Sequence, residues 1–98
     1  MKIDKISNGN MLTLAISGRL DTSTASQLEE VITNDLVSVT ELILDCKELE
    51  YVSSAGLRVI LKAQKKMQTV GRMKVTNVNE TIMEVFDITG FTDIITIE

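Results

Sequence analysis

The chain has 98 residues, 44% of them hydrophobic and 24% charged, which makes one small domain over residues 1–98 around a single aliphatic core. A formal charge of −4, with one tyrosine and two phenylalanines, excludes the basic footprint of a duplex nucleic-acid binder and the aromatic platforms of a single-strand binder. No histidine and one cysteine remove His-based triads and general bases, a phosphohistidine carrier, an internal disulfide and His/Cys metal sites, so no cofactor is expected.

The opening residues Met1-Lys2-Ile3-Asp4-Lys5 lack the apolar segment of a signal peptide, and no run approaches the ~18 apolar residues of a membrane span. The expected compartment is the cytoplasm, without direct membrane insertion. Two strands are predicted, Lys2–Ser7 and Met11–Ser17, joined by Asn8-Gly9-Asn10, where Asn-Gly between extended runs signals a hairpin. Gly18-Arg19-Leu20-Asp21 then turns the chain. A first helix is predicted from Thr22 or Ser23 to about Asp35, with Leu28, Val31 and Ile32 as its apolar stripe. The strand Leu42-Ile43-Leu44-Asp45 has an unbroken apolar core, as in a parallel strand covered on both faces. A second helix spans about Ser54 to Gln68 and stops near Gly71. Met73–Val78 is the next strand. Asn79 caps a third helix, with Ile82, Val85 and Phe86 turned inward; Gly90 ends it, and Asp93–Ile97 is a last strand.

The predicted order is ββαβαβαβ, an α/β domain with a mixed, mostly parallel sheet and an antiparallel edge. Functional groups in such sheets gather at the carboxyl ends of strands, which nominates Asp21, Asp45, Ser53 and Ser54 for one rim.

Tyr51-Val52-Ser53-Ser54-Ala55-Gly56-Leu57-Arg58-Val59-Ile60 is the stretch that carries most information. A serine at a helix start serves as a cap, and it is also a favourable place for a phosphate, because free N–H groups and the helix dipole favour negative charge there. Gly56 in the first turn costs ~1 kcal/mol against alanine. Either close approach by a partner backbone or phosphate, or tight helix–sheet packing, accounts for it. Asp21 and Asp45 read better as turn and loop acceptors than as an acid/base pair. Arg58, Lys62, Lys65 and Lys66 share one helix face with no acid in that helix. A solvated stripe is the preferred reading, and steering of an acidic partner is the alternative. Cys46 reads as a small packed residue, and the methionines as core filler.

The Tyr51–Ile60 stretch resembles the signature of STAS domains, in particular those of the anti-sigma factor antagonists. Three further segments agree in order and spacing: Ser17-Gly18-Arg19-Leu20-Asp21, Leu42-Ile43-Leu44-Asp45, and Ile82–Ile97 with Phe86, Gly90 and Phe91. The resemblance implies a regulator without enzymatic activity. Its partners are an anti-sigma factor that is also a serine protein kinase, and a serine phosphatase; the kinase supplies nucleotide and Mg²⁺. Ser54 matches the phosphorylated serine, and Asp21, Ser53, Ser54, Gly56 and Arg58 fall on the implied partner-binding surface. The chain departs from the pattern at Ser53, where members often carry an aspartate. That departure either shifts modification from Ser54 to Ser53 or marks a branch with a different partner. Single STAS domains also serve as subunits of lipid-transport complexes, where the same surface docks an ATPase without phosphorylation. A small nucleotide- or ligand-binding module is a third class, on fold analogy alone. A monomer is the expected state.

Overall fold

Alternating side chains build the sheet. A computed structural model describes residues 1–98. Its elements are β1 (Lys2–Asn8), β2 (Met11–Leu20), α1 (Ala25–Asn34), β3 (Glu41–Asp45), β4 (Leu49–Val52), α2 (Ser54–Gln68), β5 (Arg72–Thr76), α3 (Glu80–Thr89) and β6 (Thr96–Ile97). β1 and β2 form the predicted hairpin, in register from Lys2↔Ser17 to Asn8↔Met11. The main sheet runs β1-β2-β3-β5-β6, antiparallel only at the β1 edge.

β2 is longer than its sequence suggests, and that length organises the fold. Residues Met11–Ala15 pair parallel with β3, whereas Gly18–Leu20 pair parallel with β4. The segment predicted to turn therefore remains a strand. It absorbs a register shift between Gly18 and Arg19, and Gly18 adopts φ +89, a conformation that favours glycine over residues with a Cβ. The observed order is ββαββαβαβ. The added strand β4 lies in what was predicted to be a loop before the second helix.

One face of the sheet holds the core. Cross-strand rows Leu12–Leu42–Met73 and Leu14–Leu44–Val75 are buried against Leu28 and Ile32 of α1, Ile60, Ala63 and Met67 of α2, and Ile82 and Phe86 of α3. The opposite face keeps Thr13, Ala15, Ile43 and Lys74 only partly covered. β3 thus alternates between buried and half-buried positions, and the expectation of coverage on both faces is corrected. Three further boundaries move. α1 begins at Ala25 because Asp21 gathers the preceding N–H groups into a turn. β5 ends at Thr76. After Gly90 the chain makes a short 3-10 turn at Phe91–Asp93, which leaves only Thr96–Ile97 for β6. Asn79 caps α3 as predicted: its side-chain oxygen accepts from Ile82 N–H at 2.9 Å, and its amide donates to the Leu49 carbonyl at 2.9 Å.

Candidate functional site at the start of the second helix

β4 delivers the chain to the start of α2. The Ser53 N–H donates to the Leu20 carbonyl at 2.8 Å, which continues the β2–β4 pairing to the helix boundary. Ser53 is extended at φ −93, ψ 175, and its hydroxyl accepts from the Gly56 N–H at 3.2 Å. It is the N-cap of α2, which satisfies one of the orphan donors of the first turn. Ser54 is the first helical residue and is exposed, and its hydroxyl makes no hydrogen bond within the chain. The two serines therefore divide the local roles. One side chain closes the helix, and the next faces solvent beside the positive end of the helix dipole.

Gly56 is buried, and packing explains it. A Cβ there would lie 2.7 Å from Leu20 Cγ, 2.9 Å from the Leu20 carbonyl oxygen and 3.0 Å from Val52 Cγ2. Of the two accounts raised for this glycine, tight helix–sheet packing is the one the geometry supplies. Gly56 lies beneath the surface that carries Ser54 and holds its position.

The bond between Ser53 and Leu20 also brings the Asp21 turn alongside. Asp21 Oδ1 accepts from the Ser23 hydroxyl at 2.8 Å, the Ser23 N–H at 3.0 Å and the Thr24 N–H at 3.1 Å. These bonds, the one from the Ser23 hydroxyl foremost, hold its carboxyl below the ordinary value of 3.8 against a smaller opposing effect of burial. The Thr24 hydroxyl donates to the Arg19 carbonyl at 2.7 Å and accepts from the Asp21 N–H at 2.9 Å. Asp21 is a turn-former whose remaining surface faces the rim. Arg19 lies over the Tyr51 ring at 4.1 Å, with its Nε 3.8 Å from Asp21 Oδ2. The Arg19–Tyr51 pair was not singled out in the sequence. It depends on the register of β2 with β4, which no local pattern announces.

Between the first halves of α1 and α2 runs a groove of about 260 Å³, lined by Ala25, Ala55 and Val59, with Arg58, Lys62, Ser26 and Glu29 on its walls. The basic stripe divides here. Lys62 pairs with Glu29 at 3.5 Å. Lys66 donates to the Ile32 carbonyl at 3.1 Å, supplying positive charge at the C-terminal end of α1, which has no basic residue of its own. Two of the four cations thus tie α1 to α2, and only Arg58 and Lys65 remain as a solvated face. Asp45 leaves the predicted rim. It pairs with Ala15, five residues before Leu20 and ~16 Å back along β2 at the usual rise. There it accepts from the Lys47 N–H at 3.1 Å and the Asn77 amide at 3.0 Å. Cys46 is fully buried, and its thiol is pushed up to about 12, first by burial and then by the Asp45 charge. The larger cavity, about 430 Å³, opens between β1 and the later part of α1, and its Lys5–Asp35 pair closes on itself at 2.6 Å.

The structure therefore gathers Asp21, Ser53, Ser54 and Arg58 at one end of the domain, over a buried Gly56. The chain is 33% identical over 96 residues to BtrV of Bordetella bronchiseptica, which is named as a candidate anti-sigma factor antagonist; the match covers 96% of this chain and 81% of that protein. It is 31% identical over 98 residues to the anti-sigma-B factor antagonist of Bacillus subtilis, covering 99% of this chain and 90% of the relative. Its fold matches the unphosphorylated form of the anti-sigma factor antagonist SpoIIAA with a TM-score of 0.78 at 19% identity, over 99% of this chain and 87% of that one. The phosphorylated form of SpoIIAA, a Bacillus cell fate determinant, matches with a TM-score of 0.77 at 20% identity, over 99% and 91%. Residues 2–98 match the STAS domain family, and the chain belongs to it.

Proposed function

We propose that this chain is an anti-sigma factor antagonist: it docks on its anti-sigma factor through the surface around Ser54 and loses that partner when Ser54 is phosphorylated. The observation that carries the reading is the division of labour at the helix start. The Ser54 hydroxyl is exposed and unbonded, while the adjacent Ser53 hydroxyl is occupied as the cap. The antagonist role named for both relatives supports it. In this reading Ser53 is not the acceptor, because modifying it would displace the bond to Gly56. Asp21 and Arg58 belong to the docking surface, and Gly56 acts from below by positioning it.

The physics of the switch is local. A phosphate adds roughly −1.5 to −2 charges at neutral pH. At a helix N-terminus the domain itself tolerates that charge. Against a partner seated on the same surface it adds bulk, repulsion and a desolvation cost. The domain contributes binding and no catalytic group. The nucleotide and Mg²⁺ belong to the partner acting as serine kinase, and a serine phosphatase restores the docking form. The protein works as a cytoplasmic monomer in this account. Phosphosite mapping by mass spectrometry on chain isolated from its native cells tests the acceptor. The account expects phosphate on Ser54. Phosphate on Ser53 alone, or none under any growth condition, contradicts it, and the second result fits a constitutive subunit instead.

A further inference from the structure

Ser54 and Arg58 occupy positions i and i+4 of α2, so their Cβ atoms lie roughly 5–6 Å apart on one face. Helical side chains lean toward the N-terminus, which sends Arg58 back over the turn that carries Ser54. Arg58 is exposed and takes part in no ion pair. The neighbouring cations and Asp21 are already engaged, while Glu50 of β4 is exposed and unpaired. Lys62 is held by Glu29, Arg19 by Tyr51 and Asp21, and Asp21 by Ser23 and Thr24. Lys65 is two turns further along α2 than Arg58. One uncommitted guanidinium therefore stands one helical turn from the one unbonded serine hydroxyl of the helix start.

We propose that a phosphate on Ser54 is held by the Arg58 guanidinium, in an ion pair internal to α2. The proposal rests on the reading of Ser54 as the modified residue, and it adds how the modification acts. The phosphate does more than repel a partner. It claims the cation that lines the groove between Ala25, Ala55 and Val59, so a partner carboxylate that uses Arg58 in the unmodified chain loses its counter-charge. The covalent step is an ordinary phosphoryl transfer: the γ-phosphoryl of the kinase's ATP passes to Ser54 Oγ, the hydroxyl proton is lost, and ADP leaves. Arg58 enters only afterwards and is not a catalytic residue.

The pair can be tested without knowing the partner. Phosphoserine is incorporated genetically at position 54 in the full chain, and its phosphate is titrated by ³¹P NMR in otherwise wild-type, Arg58→Gln, Arg58→Lys and Lys62→Gln backgrounds. Wild type should titrate about 0.3–0.7 pH unit below Arg58→Gln, a gap expected for a surface charge pair within one helix. Arg58→Lys should recover part of the gap, and ~1 M salt should collapse it. Lys62→Gln should titrate like wild type, since Lys62 is committed to Glu29. Equal titration in wild type and Arg58→Gln overturns the pair. So does a loss in Lys62→Gln as large as that in Arg58→Gln, which would reflect a general field. Because the phosphate is installed directly, either result stands apart from whether native chain is phosphorylated, which the phosphosite mapping decides.

Discussion

Replacing Gly56 by alanine separates two kinds of argument by sign. On helix propensity alone, alanine in the first turn of α2 should stabilise the chain by ~1 kcal/mol. The structure says otherwise. The new Cβ would meet Leu20 Cγ at 2.7 Å, the Leu20 carbonyl oxygen at 2.9 Å and Val52 Cγ2 at 3.0 Å. Each is about half an ångström or more inside ordinary contact. The leucine and valine side chains can rotate away, but the carbonyl cannot, because it accepts the Ser53 N–H at 2.8 Å and so belongs to the pairing that positions the helix. Overpacking of this kind costs about 1–3 kcal/mol. The backbone contact places it in the upper part of that range, so about 1–2 kcal/mol of net destabilisation survives the propensity gain. For a domain of this size that is a fall in melting temperature of roughly 5–15 °C. Urea unfolding followed by circular dichroism should show a lower midpoint with an unchanged slope. A Gly56→Ala chain as stable as wild type, or more so, would refute the packing account and return Gly56 to a role in contacting a partner.

The serine pair should respond asymmetrically. Ser53→Ala loses the cap and should cost about 0.5–2 kcal/mol, whereas Ser54→Ala should stay within about 0.5 kcal/mol of wild type; thermal melts of both variants check the order, and a reversed order contradicts the cap assignment. Asp21 titrates below 3.8 when folded, so its contribution to stability is present above its unfolded value and is lost as pH falls through its folded one. The stability difference between wild type and Asp21→Asn should therefore hold steady above about pH 5 and close in acid, and a difference flat from about pH 3 to 7 would be inconsistent with these bonds. Cys46, buried with its thiol pushed up to about 12, should resist an aromatic disulfide reagent at about pH 8 until urea unfolds the chain. Stoichiometric labelling of the native protein within the mixing time would show that the thiol is accessible.

What the sequence made legible was local. The hairpin at Asn8-Gly9-Asn10, the Asn79 cap and the Ser53/Ser54 helix start each depend on residues within one turn of one another, and each appears where predicted. β4 escaped because Leu49-Glu50-Tyr51-Val52 has only four residues and buries just its two ends. Its strand character comes from pairing with Gly18–Leu20, a segment whose glycine reads locally as a turn. That one non-local pairing carries the consequences for the site. It places Asp21 beside Ser53 and sets Arg19 over Tyr51, while the β2–β3 register holds Asp45 beside Ala15, well back along β2. Gly56 was visible as an anomaly, but choosing between packing and contact required the position of the Leu20 carbonyl. Likewise, four cations at helical spacing are evident in the chain, yet Lys62 and Lys66 find their partners on α1, and only the packing of the two helices reveals it.

The most direct test of the switch uses two baits in extract from native cells with phosphatases inhibited: wild-type chain, and chain carrying phosphoserine at position 54. Bound proteins are identified and quantified by mass spectrometry. The account predicts that a kinase-type anti-sigma factor is retained by the unmodified chain and lost by the phosphorylated one. The same partner held equally by both baits, or a transporter ATPase held by both, would contradict it.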